Sequence, residues 1–466
     1  MPEHRRPAVT AQAVQPKVEH LAAAPPGDDD PLPCIAQAAV AQIVDAGQLA
    51  QVGFAGQRAG YAIGKRVPGA AGPFPAAAEP DKAPVQAEPL GLAGLQRLAK
   101  HLPRPTRAGP QCGTDYREQV EMSTVCAFVT RGLEDIAAAE IGETSAAAGG
   151  IETRPKVVLT QASDVRGFRR LRTVDDVAVV SASSPSVHDL QDLISLVTDQ
   201  ADLEETIEQA LRTDRLDGAF SITVSAAHVP YGTSGVIEEA VASAISARYE
   251  WRHTELQRAP IDIRVFIDGT WALIGVRLFD EPLSRRTYRV VNLRGALRPT
   301  VAAALVRIAN QGRGRPRIWD PFCGSATILS EAAEQGHEVW GTDIDPEAVE
   351  AARENLAAVK REYWNRIECA DSTSPKTWKK HQSATALVTN LPWGKQVAIK
   401  SKQGLYDSVS AGTAELVRRG GTSVLLTTEP KLIQQRLKRA DAVRIEERRI
   451  GLLGQTPTIL AVQPAK

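Results

Sequence analysis

From residue 122 onward the apolar positions change period repeatedly, and each change marks an element. Val125–Val129 reads as a strand, Leu133–Ile141 as a helix and Val157–Leu159 as a strand again. Leu193, Leu196, Val197, Leu203, Ile207 and Leu211 share one helical face, which predicts a helix across Leu190–Leu211. Phe220–Ser225 alternates like a strand and Gly235–Ile245 is helical. Ile261–Ile267 and Thr270–Leu278 then flank Asp268-Gly269, a strong hairpin signal, with Ile261, Ile263, Val265 and Ile267 on one buried face. Periodicity here gives an α+β region.

The second half reads differently. Arg317–Asp320, Val339–Trp340, Ile367–Asp371 and Ala386–Thr389 are short apolar runs ending in polar residues, as buried parallel strands do. Ile328–Ala333 opens a helix stopped by Gly336. Asp345 suits an N-cap, with Pro346 at the first helical position. Leu405–Arg418 and Leu432–Leu437, the latter after Pro430, read as helices. Ser423–Thr427, Val443–Ile450 and Thr458–Val462 complete a set of seven strands, the last two separated by Gly451–Pro457. Helices alternate with strands early and a hairpin closes the sheet, which is an α/β pattern.

Candidate chemistry lies at the strand ends. Asp320-Pro321-Phe322-Cys323-Gly324-Ser325-Ala326-Thr327 is a strand, a Gly-bearing turn and a helix start, which together cradle a ligand at the carboxyl edge of a parallel sheet. Asp343, ending the next strand, stands where a ribose diol is hydrogen-bonded. The chain has no G-x-G-x-x-G, so a nucleoside-bearing ligand fits better than a dinucleotide. Asp371 fits either a carboxylate near an adenine amino group or a helix cap for Ser372 onward.

Asn390-Leu391-Pro392-Trp393 follows the fourth of these strands. A ring-conjugated exocyclic amine is a poor nucleophile, because its lone pair is delocalised. The Asn390 side-chain oxygen and the Leu391 carbonyl can accept both amine hydrogens and favour a pyramidal nitrogen aimed at a methyl group. Pro392 stiffens the turn, and Trp393 offers a face to an extruded base. Cys323 reads as packing in its turn, not as a nucleophile.

These motifs resemble the THUMP-domain group of class I S-adenosylmethionine-dependent methyltransferases, which modify guanine N2 in RNA. The likeness covers residues 122–466. It implies a Rossmann-like seven-stranded α/β methyltransferase domain over 283–466, preceded by a ferredoxin-like domain over 122–185 and a THUMP domain over 186–282. It further implies S-adenosylmethionine as cofactor, held by Asp320, Pro321, Cys323, Gly324, Ser325, Thr327, Asp343, Ile344, Asp371 and Asn390. Catalysis falls to Asn390, Leu391, Pro392 and Trp393. The expected activity is methylation of guanosine N2 in tRNA. The alternatives are the same chemistry on ribosomal RNA, or an RNA-binding protein with a degenerate donor site. Ala326 departs from the family, which places a second glycine there. Its methyl either crowds the donor's methionine end or is accommodated by helical backbone.

Composition refines the partner. Lys+Arg and Asp+Glu balance at 55 each, so net charge does not advertise a nucleic acid. Between Arg285 and Arg317, however, there are nine arginines and no Asp or Glu. Arg285, Arg286, Arg289, Arg294 and the later Lys395 are the candidate RNA contacts. Arg313 and Arg315 fit helix capping equally well. Five cysteines and eight histidines fall in no ligand spacing, so no metal site is expected. No apolar run reaches membrane length, and the expected location is cytoplasmic, as a monomer. Residues 1–110 hold 16 of the 30 prolines and no tryptophan. That composition predicts a disordered Ala/Pro-rich extension over 1–120. Met1 and Met122 are the chain's two methionines, which raises the expectation that the natural start lies at or near Met122.

Overall fold

The computed structural model describes residues 122–211, 218–254, 259–310, 314–393, 401–438 and 443–465. The extension expected over 1–120, Arg313 and Lys395 lie outside these residues.

The first half forms one continuous sheet. Its strands are β1 (Ser123–Phe128), β2 (Ala147–Arg154), β3 (Val157–Ala162), β4 (Asp176–Ser184), β5 (Ala219–Ala227), β6 (Arg252–His253), β7 (Ile261–Asp268) and β8 (Trp271–Arg277). The order is β2-β3-β1-β4-β8-β7-β5-β6, antiparallel except where β5 runs parallel to β6 and β7. β4 has no counterpart among the expected strands. Its Val177-Ala178-Val179-Val180 run does not alternate, and a bulge between Val180 and Ala182 shifts the pairing with β8. This strand nevertheless joins the two pieces expected as separate domains, because it pairs with β1 on one side and β8 on the other. One apolar core runs beneath the whole sheet, from Val125 to Leu283. The β7–β8 turn is the expected hairpin, with Gly269 at φ +64.

The helices of this half are α1 (Glu134–Gly142), α2 (Leu190–Ser195), α3 (Leu203–Leu211) and α4 (Ser234–Tyr249). The single helix expected over Leu190–Leu211 is broken. Its backbone widens to a π turn over Leu196–Gln200 and becomes extended at Ala201. Asp202 then restarts it, accepting at 3.0 Å from the Glu205 N–H. Leu193, Leu196, Val197, Leu203 and Ile207 are all buried, so the apolar face survives the break.

The second sheet comprises β9 (Arg317–Asp320), β10 (Glu338–Asp343), β11 (Ile367–Cys369), β12 (Ala386–Asn390), β13 (Thr422–Thr427), β14 (Val443–Arg449) and β15 (Thr458–Pro464). Its order is β11-β10-β9-β12-β13-β15-β14. The first five are parallel, and β15 is antiparallel to both neighbours. Helices α5 (Pro299–Asn310), α6 (Thr327–Glu334), α7 (Pro346–Val359), α8 (Pro375–Lys380), α9 (Lys402–Arg418) and α10 (Pro430–Leu437) accompany it. As expected, Asp345 caps α7 by accepting from the Glu347 N–H at 3.0 Å. The chain proceeds outward from β9 through β10 to β11, then returns to the other side of β9 with β12. This reversal opens a crevice at the carboxyl ends of β9 and β12, the place where open α/β sheets bind ligands.

The two halves meet closely. Leu133 and Ile136 of the α1 segment enter the same apolar cluster as α5. Gly132, at φ +91, lets the backbone touch β14, since a Cβ there would collide with the Arg449 carbonyl oxygen.

Candidate active site

The crevice is built from four strand ends, and hydrogen bonds fix their spacing. Asp320, only 1% exposed, ends β9. Its carboxylate accepts from the Phe322 N–H at 3.0 Å and from the Thr389 hydroxyl at 2.6 Å. Thr389 immediately precedes Asn390, so the donor turn and the Asn-Leu-Pro-Trp turn are tied to one another. Burial pushes the Asp320 carboxyl up to about 7, against the lowering effect of those two hydrogen bonds.

Beside it, the β10 end holds the loop. Asp343 accepts from the Gly324 N–H at 2.8 Å through one oxygen and from the Asp345 N–H at 3.1 Å through the other. Each oxygen retains acceptor capacity for a ribose hydroxyl. Ile344, next in sequence, is 53% exposed, an unusual position for an isoleucine and a suitable floor for a flat ring. The β11 end contributes Asp371, whose carboxylate accepts from the Thr373 N–H at 2.8 Å and its hydroxyl at 2.6 Å. Asp371 thus organises its own turn, and Ser374 holds the N-cap position of α8 without a side-chain capping bond. The Ser372 hydroxyl lies 2.8 Å from that of Thr342, which donates at 3.3 Å to the Pro321 carbonyl. A chain of hydroxyls therefore links three of the four strand ends.

Within the donor turn the side chains of Pro321, Cys323, Ser325 and Thr327 are buried, so this loop turns backbone outward. Burial and the neighbouring Asp320 and Asp343 charges raise the Cys323 thiol well above its ordinary value, consistent with packing and not attack. Gly324 has φ +51, and nothing lies within 4 Å of where a Cβ would stand. Ala326 differs from both alternatives drawn from sequence. Its backbone is left-handed (φ 61, ψ 30), not helical, and its methyl is fully buried in the core under α6, not in the crevice. The departure from glycine strains the backbone without blocking a ligand.

Two buried polar atoms at the Asn390 turn, the Asn390 side-chain oxygen and the Trp393 ring N–H, stand without a partner among the described residues. Such orphans cost free energy unless a ligand satisfies them. Together with the open approach to Gly324 and the lone pairs left on Asp343, they fit a nucleoside-bearing donor and an amine-bearing acceptor. A separate cavity, about 920 Å³, lies at the amino ends of β9, β10 and β12, away from these groups. Among the described residues no three His, Cys, Asp or Glu side chains converge on a metal position, and no helix is long and apolar enough to cross a membrane.

The linker arginines divide. Arg286 is corrected from RNA contact to structural ion pair. Its guanidinium donates at 2.7 Å to the fully buried Glu331 and at 2.8 Å to the Arg172 carbonyl. Arg172 and the Tyr288 hydroxyl complete the set, at 2.6 and 2.7 Å from the same carboxylate. Arg285 pairs with Glu281 at the surface. Arg289 and Arg294 have no ion pair among the described residues. Sequence alone offered no signal for Glu331, Thr389 or Asn355, whose partners lie far along the chain.

The sheet order and the crevice define a class I methyltransferase, and comparison with known proteins agrees. Residues 286–457 match the RMKL-like methyltransferase domain model. The chain is 34% identical over 245 residues to the tRNA (guanine(6)-N2)-methyltransferase of Thermus thermophilus, covering 50% of this chain and 70% of that protein. It is 30% identical over 188 residues to the mouse U6 snRNA (guanine-N(2))-methyltransferase THUMPD2, covering 40% of this chain but only 34% of that protein. The crystal structure of TrmN from Thermus thermophilus superposes with a TM-score of 0.57 at 28% identity, over 74% of this chain and all of that one. The chain belongs to the THUMP-domain class I methyltransferase family, whose donor is S-adenosylmethionine.

Proposed function

We propose that the chain transfers a methyl group from S-adenosylmethionine to the exocyclic N2 amine of a guanosine in tRNA. The observation that carries this reading is the buried Asn390 oxygen at the sheet's reversal point, which has no partner among the described residues. An acceptor held there needs a donor with hydrogens to give, and a guanine amine has two. Asn390 takes one and the Leu391 carbonyl the other, which draws the nitrogen toward pyramidal geometry and frees its lone pair. Pro392 keeps the turn rigid. Trp393 supplies a stacking face and an N–H for the extruded base. The turn after β9 presents its backbone, Asp343 takes ribose hydroxyls, and Ile344 and Asp371 flank the adenine. Bound S-adenosylmethionine supplies an electrophilic sulfonium methyl, so the protein contributes position and orientation more than acid–base chemistry. The eight-stranded sheet before residue 283 serves as the RNA-docking part, comprising the ferredoxin-like and THUMP regions. In this reading the enzyme works in the cytoplasm as a monomer. The likeness to the Thermus thermophilus tRNA enzyme favours tRNA over ribosomal RNA.

Nucleoside mass spectrometry tests this. The full chain is incubated with labelled S-adenosylmethionine and unmodified total RNA, fractionated by size before digestion. Labelled N2-methylguanosine in the tRNA fraction is expected, and Asn390→Ala reduces it by about 10²–10³-fold, the loss typical of one positioned polar group. Label confined to large RNA would move the substrate to the ribosome. No label in any fraction would leave an RNA-binding protein.

A further inference from the structure

The linker after β8 and helix α7 enclose a groove of about 640 Å³, lined by Val290, Glu354, Ala357, Ala358, Arg361 and Trp364. Two features set it apart from ordinary surface. Val290 is 59% exposed and Trp364 37% exposed, so two large apolar side chains face water in one depression. Arg361, on the groove wall, and Arg289 and Arg294, on the linker, form no ion pair among the described residues. By contrast Arg285, Arg286, Arg298 and Arg307 each pair with a carboxylate.

We propose that this groove binds an unpaired stretch of the RNA substrate, with one base stacked on Trp364 and an adjacent phosphate on Arg361. The inference rests on the RNA reading above and adds a surface outside the crevice. The chemistry is complementary throughout. Indole faces stack on any base, guanidinium forks match phosphate oxygens, and the small Ala357 and Ala358 side chains leave room for a flat ring. Glu354, the one acid on the wall, can accept from a base amino group or ring N–H.

The groove is also wired to the donor loop. Val291, next to Val290, exchanges two hydrogen bonds with the Asn355 side chain, both at 2.9 Å. The same Asn355 amide donates at 3.0 Å to the Ser325 carbonyl, inside the donor turn. Asn355 is 1% exposed and lies on α7 between groove residues Glu354 and Ala357. RNA seated in the groove therefore bears on Val290, whose neighbour Val291 is bonded to Asn355, the residue that braces the donor loop.

The test uses the full chain and a fluorescently labelled, unmodified tRNA transcript, with anisotropy read across a salt series. Trp364→Ala is expected to weaken RNA binding about 5- to 100-fold, while Trp364→Phe keeps most of it. Arg361→Gln is expected to lower the slope of log affinity against log salt by about 0.7–0.9, one phosphate's worth. S-adenosylmethionine affinity, measured by calorimetry, stays within twofold of wild type in all three, which also reports that they fold. Wild-type RNA affinity and salt slope in Trp364→Ala and Arg361→Gln would overturn the groove while leaving the methyltransferase reading intact. A wild-type chain that binds donor but no RNA would overturn both.

Discussion

Thr389 donates its hydroxyl to the Asp320 carboxylate at 2.6 Å, with both side chains buried and the two residues 69 positions apart in the chain. This bond joins the donor turn to the Asn390 turn, and nothing in either motif advertises it. Removing it with Thr389→Val leaves a buried carboxylate short of one donor, at an expected cost of about 1–3 kcal/mol. Urea unfolding measures that loss. Methyl transfer should fall further than donor affinity, since the two turns lose their common spacing. Equal losses in both would mean that the bond supports the fold alone.

The Asp320 carboxyl also sets a pH dependence. Its pKa in the fold, about 7, lies above its ordinary 3.8 because burial penalises the charged form. A raised carboxyl pKa contributes stability below its unfolded value, and that contribution is lost as pH rises through the folded one. The ligand-free protein should therefore lose stability between about pH 4 and 7 relative to Asp320→Asn, which cannot ionise there. S-adenosylmethionine is cationic, so its binding favours the ionised carboxylate and should strengthen with pH across the upper part of that window. Thermal melts and calorimetry of both proteins at pH 5.5 and 8 check the two slopes. Parallel curves for wild type and Asp320→Asn would refute the assignment.

Ala326 makes a cleaner stability prediction. Its left-handed backbone favours glycine, and its methyl packs into the core and not into the donor space. Ala326→Gly relieves the strain but loses the buried methyl and gains unfolded-state freedom. The net gain should stay below about 1 kcal/mol, which raises Tm by at most a few degrees. Ala326→Val should lower Tm sharply, because a branched side chain tolerates this backbone worst. Donor affinity should not improve in Ala326→Gly; a large improvement would show that the methyl does crowd the ligand.

What the sequence made legible was local. The Asp345 cap with Pro346 and the Asp-Gly hairpin depend on near neighbours and lie where their patterns place them, while strand ends such as those of β3, β10 and β11 fall within a few residues of expectation. β4 escaped because a strand buried in mid-sheet need not alternate, and the break at Ala201 escaped because the apolar face continues across it. The ties that hold the crevice were not legible at all. Thr389 reads as one more strand residue and Asn355 as one more polar position on α7. The arginines between 285 and 317 look equivalent as text, and only the packed chain separates Arg286 from Arg289.

That separation can be measured. Glu331 sits on α6, directly after the donor turn, with no exposed surface, and receives Arg172 from the first half and Arg286 and Tyr288 from the linker. Three parts of the chain thus converge on one carboxylate. Glu331→Ala strands two guanidiniums and a phenol in a desolvated site and should cost roughly 3–5 kcal/mol. Arg285→Ala, which breaks an exposed pair only four residues apart, should change stability by less than about 0.5 kcal/mol. Arg286→Ala should behave like Glu331→Ala in denaturant unfolding, and the double variant should cost less than the two single losses added. Additive losses would mean that the cluster is not a single unit, and that the linker is anchored to the donor helix by some other contact.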